Sequence, residues 1–94
     1  MRRSLRALGE DITTWRKLQR LTAAQVADRA GVSRMTLYKL EHGDGSVSLT
    51  KALQVLRALG QLDLITEALD PYATDVGRLR SEEALPQRVR QPKE

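Results

Sequence analysis

The chain has 94 residues, room for one domain with a single core and a short remainder. It is 40% hydrophobic and 30% charged, with sixteen Lys and Arg against twelve Asp and Glu for a net charge of +4, the balance of a folded basic protein. The absence of cysteine excludes a disulfide framework and a thiolate zinc site, and the single histidine (His42) and few aromatics (Trp15, Tyr38 and Tyr72) argue against a zinc or haem site and against the base-stacking platforms of RRM and OB folds.

Apolar residues recur at helical spacing from the start. Leu5, Leu8, Ile12, Trp15 and Leu18 predict one face of a first helix. Gly9 interrupts it at a cost of about 1 kcal/mol relative to Ala, so either it marks a close packing contact or the helix begins after it. Thr22 is the N-cap of a short second helix, Ala23 to Ala30, with Val26, Ala27 and Ala30 facing inward. Gly31 suits the left-handed position that ends such a helix. Ser33 then caps a third helix running to about His42 and stopping at Gly43. Asp44-Gly45-Ser46 reads as a turn, and Ser48 opens a fourth helix striped by Leu49, Ala52, Leu53, Leu56 and Leu59. Gly60 closes it, and Leu62 to Leu69 fits a fifth helix before Asp70-Pro71. Five helices joined by tight loops predict an all-α bundle over residues 1–69.

Residues 70–94 have a different character, with all three prolines and weak periodicity. Val76, Leu79 and Leu85 fit a short helix around Asp75 to Leu85, and Gln87-Arg88-Val89-Arg90 is expected to be extended or disordered. No apolar run exceeds two residues, so neither a membrane-spanning helix nor a signal-peptide core is expected. Charge separates the two stretches: residues 1–69 hold eleven basic and seven acidic side chains, residues 70–94 five of each. Between residues 16 and 39, Arg16, Lys17, Arg20, Arg29, Arg34 and Lys39 face a single acid, Asp28. Such a cluster points to a polyanion or to a solvated surface.

The turn Ala30-Gly31-Val32-Ser33 sets the third helix at a steep angle to the second, the geometry of a helix-turn-helix. Val32, Leu37 and Leu40 fall on the buried side of the third helix, and Arg34, Met35, Tyr38 and Lys39 on the exposed side. Arg and Lys can donate to guanine O6 and N7, and Met can touch a thymine methyl. Ser33 and Thr36 can hold phosphates or a base edge. The alternative from geometry alone is a plain helical hairpin with a charged outer face.

The run Leu21-Thr22 through Ala27-Asp28-Arg29-Ala30-Gly31-Val32-Ser33 to Leu40-Glu41-His42-Gly43 resembles the Cro/cI-type (XRE) helix-turn-helix family, and the likeness extends over residues 5 to about 69. The resemblance implies a five-helix lambda-repressor-like DNA-binding domain. It implies base reading by Arg34, Met35 and Lys39, and an ion pair between Arg16 and Glu41 that fixes the first helix against the reader. Two positions depart from the family. Ala23 stands where a backbone-contacting glutamine is common, leaving Gln25 as the substitute, and the loop after the third helix reads Asp44-Gly45-Ser46 where Lys or Arg is usual. Members bind paired half-sites as dimers, so a homodimer on a palindromic double-stranded operator is expected, through Leu62, Leu64, Ile65 and Leu69 or the tail; the alternative is that these four complete the monomer's own core. The segment Asp75 to Arg90 resembles tails of HipB-like antitoxins, which implies an autoregulating repressor with a HipA-like kinase toxin as partner; the alternatives are a stand-alone phage-like repressor and a module that mainly silences a protein partner. Either way a cytoplasmic, nucleoid-associated protein is implied.

Catalysis is not expected. His42 stands beside Glu41 at a helix end, where a cation complements the helix dipole. Glu82 and Glu83 are adjacent and do not share a helix face, and no glycine-rich phosphate loop follows a strand. No metal site and no cofactor are expected.

Overall fold

The computed structural model describes residues 1–84; Leu85 and the segment 87–90 lie outside the described residues. Its helices are α1 (Arg2–Leu18), α2 (Ala23–Ala30), α3 (Arg34–Glu41), α4 (Leu49–Ala58), α5 (Leu62–Leu69) and α6 (Asp75–Ala84), with one 3-10 turn at Pro71–Ala73. The fold is all-α and lambda-repressor-like. Two compact units are present, one from Met1 to Leu62 and one beginning at Asp63.

Local chemistry sets the helix boundaries of the first unit. Thr22 and Gln25 form a reciprocal capping box: the Gln25 amide donates to Thr22 Oγ1 (3.1 Å) and the Thr22 amide to Gln25 Oε1 (2.9 Å). Ser33 accepts from the Thr36 amide at 3.0 Å, and Ser48 from the Lys51 amide at 3.2 Å. Each such cap contributes on the order of 1 kcal/mol. Gly31, at φ 72°, takes the left-handed conformation that lets α2 stop and α3 begin within three residues.

The core is Ile12 from α1, Val26, Ala27 and Ala30 from α2, Leu37 and Leu40 from α3, and Val55, Leu56 and Leu59 around the end of α4. α2 packs on α3 and α4, and α1 on α3. A fully buried Val, Leu or Ile contributes about 1.5–3 kcal/mol, so this small cluster carries most of the cohesion. Sequence periodicity outruns the core at the helix ends. Leu18, on the last residue of α1, is 68% exposed, and Leu49, on the first of α4, is 73% exposed. A terminal turn projects past its neighbours, so a residue in register with the stripe has nothing to meet there.

Gly9 does not delay α1, which runs unbroken from Arg2. It is buried, and a Cβ at this position would lie 2.5 Å from the Glu41 carbonyl oxygen and 2.6 Å from that of Leu40. The middle of α1 therefore touches the backbone at the end of α3, and only glycine permits the approach.

The second unit is held by local bonds. Asp70 Oδ1 accepts from the Tyr72 amide (2.9 Å), Thr74 Oγ1 from the Gly77 amide (3.0 Å), and Arg78 donates to the Tyr72 carbonyl (2.9 Å) while pairing with Asp75. A Cβ on Gly77 would collide with the Pro71 carbonyl oxygen, so α6 folds directly onto the 3-10 turn. No residue of α5, the turn or α6 is buried.

The Gly9 contact makes an unusual demand. Gly9→Ala should lower unfolding stability by about 1–3 kcal/mol through overpacking. At an exposed helical site the same change would raise it by up to about 1 kcal/mol. Urea melts of the two chains give the sign directly.

Candidate nucleic-acid interface

α3 is gripped on one face and exposed on the other. Leu37 and Leu40 are buried, and Val32, half-buried, donates its amide to the Ala27 carbonyl at 3.0 Å across the turn. Opposite them, Arg34 and Lys39 are exposed and take part in no ion pair among the described residues, with Met35 and Tyr38 61% and 58% exposed beside them. Two exposed cations and two apolar groups on one face offer guanine-type acceptors a donor and thymine methyls a contact.

The end of that helix is fixed by Arg16. Its Nε donates to Glu41 Oε2 at 2.8 Å and its Nη2 to Oε1 at 3.1 Å, while Nη1 reaches the Leu21 carbonyl at 3.2 Å. One guanidinium thus ties α1, the loop before α2 and the last residue of α3. The hydrogen bond to Glu41, helped by that residue's charge and opposed by burial, raises the Arg16 pKa above its already high ordinary value. A raised cation stabilises the fold at every pH below its unfolded value, so the arginine side of this pair does not titrate in any working buffer.

The polar residues near the start of α3 are partly occupied. Ser33 Oγ accepts the Thr36 amide and donates to Thr36 Oγ1 at 2.9 Å, which leaves Thr36, half-buried, with its own hydroxyl proton to give. Gln25 spends its carbonyl oxygen on the capping box and keeps its Nε2 protons available. Ala23 presents only a methyl group. With Met35, Leu37 and Tyr38 it borders a solvent-open groove that has the Arg16–Glu41 pair among its walls.

His42 was not readable as part of this surface. It stacks on Tyr38 (centroids 3.9 Å apart, 24° between planes), and its Nδ1 lies 2.7 Å from the Tyr38 carbonyl oxygen. The i, i+4 spacing of two aromatic rings was the available signal. The stack limits where the Tyr38 ring can go on the exposed face.

Beyond α3, Asp44 Oδ1 accepts the Ser46 amide at 2.8 Å and closes the turn. That bond, a second one involving the Ser46 side chain and the nearby charge of Lys39 hold the carboxyl below the usual aspartate range. A depressed carboxyl stabilises the fold above its unfolded pKa, about 4, and loses that contribution as pH falls through the depressed value. Among the described residues no group of three or more His, Cys, Asp or Glu could hold a metal ion, and no helix is long and apolar enough to cross a membrane.

A family model described as Helix-turn-helix matches residues 12–65, more than half of the chain. No curated protein and no solved structure gives a match.

Breaking the Arg16–Glu41 pair from one side should be costly. Arg16→Ala is expected to lose about 3 kcal/mol, because it strands a carboxylate with 8% of its side chain exposed. The double variant Arg16→Met/Glu41→Leu should recover most of the loss, and chemical denaturation of both chains checks it.

Proposed function

Since the chain belongs to the helix-turn-helix family and is a DNA-binding transcription regulator of the Cro/cI type, we propose that it is a sequence-specific repressor whose reading residues are Arg34, Met35 and Lys39. The observation that carries this reading is the bare face of α3, set on a helix whose other side is core and whose end is clamped by Arg16. Arg34 and Lys39 donate to guanine edges and Met35 meets a thymine methyl. Tyr38 and Thr36 on α3, Ser33 at its cap and the Gln25 amide on α2 contact phosphates or base edges.

The repressor acts as a homodimer on a palindromic operator, because two reading helices spaced by about one helical turn of DNA multiply the affinity of each. Residues 1–69 form the DNA-binding part, and its last helix, α5, together with the segment from residue 70 makes protein contacts. Exposed Leu64, Leu69, Val76 and Leu79 supply apolar surface for them, in a unit with no buried residue among α5, the turn and α6. The same surface supports a finer role as the autoregulating antitoxin of a HipBA-like module, in which one face of the tail holds a HipA-like kinase. A stand-alone phage-like repressor would use it only for the dimer. Both roles place the protein on the nucleoid in the cytoplasm.

Selection of a binding site from random duplexes, followed by base-by-base competition, tests the DNA reading. Arg34→Ala or Lys39→Ala should cost about 1–3 kcal/mol on the selected site and relax the preference at one base position. A uniform loss on every sequence would make that residue a phosphate contact. Co-purification of the full chain from its own cell, with the kinase activity of any partner measured free and bound, separates the antitoxin from the simple repressor.

A further inference from the structure

A second cationic surface stands next to the reader, on the first turns of α1. From Gly43 to Ser48 the chain following α3 contributes no Lys or Arg: its one charged side chain is Asp44, whose carboxylate is bonded within the turn and lies in the field of Lys39. That segment lies directly on α1. A Cβ at Gly43, whose φ is 76°, would stand 2.8 Å from the Arg6 Cα, and one at Gly45 would stand 3.0 Å from a methyl of Leu5. The two glycines thus bring the start of α1 against the chain leaving the reading helix, two to four residues past its end. Arg6 sits at this contact. Arg2 is one turn earlier on the same face, and Arg3 is beside them.

The three arginines are exposed, line one open concavity, and take part in no ion pair among the described residues. The first turn of α1 holds no acid, and Met1 gives it no side-chain cap. Its free amide ends add to the positive potential there. A guanidinium presents a planar fork of donors matched to phosphate oxygens, and three of them around one concavity make a positive surface that attracts an anion.

We propose that Arg2, Arg3 and Arg6 grip the DNA backbone beside the reading helix, taking the place of cations that the Asp44-Gly45-Ser46 turn lacks. This proposal rests on α3 being the DNA-reading helix. The grip is independent of base sequence and sets how far along the groove the reader sits.

The test uses the full chain and a labelled duplex of random sequence, titrated between about 50 and 200 mM salt. Arg2→Gln/Arg3→Gln/Arg6→Gln should reduce the slope of log K against log salt by about 0.9 for each phosphate contact removed. Its preference for the selected site over random DNA should stay unchanged. Glutamine keeps the helix propensity of arginine, and Arg6→Gln alone serves should the triple variant melt early. Arg57→Gln, exposed on α4 of the same unit and matched in charge to Arg6→Gln alone, should leave the slope as it was. A wild-type slope in the triple variant, or a loss from Arg57→Gln equal to that from Arg6→Gln, would overturn the assignment while leaving the reading helix intact. A wild-type chain with no salt-dependent DNA binding would instead sink the DNA reading of α3, and this one with it.

Discussion

An eight-residue helix has no stability of its own in water, so α3 is only as well placed as the elements that hold it. Two contacts from α1 do this at the same end. Gly9 lets the helix backbones meet at the Leu40 and Glu41 carbonyls, and seven residues further on Arg16 closes a two-pronged bond on the Glu41 side chain. The first fixes distance and the second fixes rotation about the α3 axis. The buried leucines of α3 alone would allow it to roll, because apolar contact has no preferred direction. Directional bonds at one end convert a packed helix into an aimed one.

Most of this architecture can be read in the residues. Thr22, Ser33 and Ser48 mark helix starts because a hydroxyl can satisfy an amide that the helix leaves unpaired, and the structure finds each of them doing so. Gly31 and Gly43 mark stops for an equally local reason, their positive φ. Non-local facts were harder to read. Gly9 within a helical stripe signals a close contact as one of two readings, but nothing near it identifies the partner, a carbonyl 32 positions later. Leu18 and Leu49 sit in register with their stripes yet face solvent, because periodicity records a face and not the extent of what covers it. The rings of Tyr38 and His42 were visible only as spacing.

The second unit inverts the relation between bonding and burial. Caps, turn bonds and a glycine at a close approach give residues 70–84 a defined local shape, yet they bury none of it. Shape maintained by short-range polar bonds, without a core beneath it, is suited to presentation. The four exposed apolar side chains from Leu64 to Leu79 are what it presents.

The bare face of α3 also separates heritable change in target from change in fold. With Arg34, Met35 and Lys39 as the proposed readers, all of them exposed, an altered codon at any one redirects the protein to another stretch of genome while its folding survives. Tyr38 is less free, since a new side chain there abandons a partner at His42. A lineage of such proteins should therefore diversify fastest at three positions, more slowly at a coupled fourth, and hardly at all along the glycine and ion pair behind them.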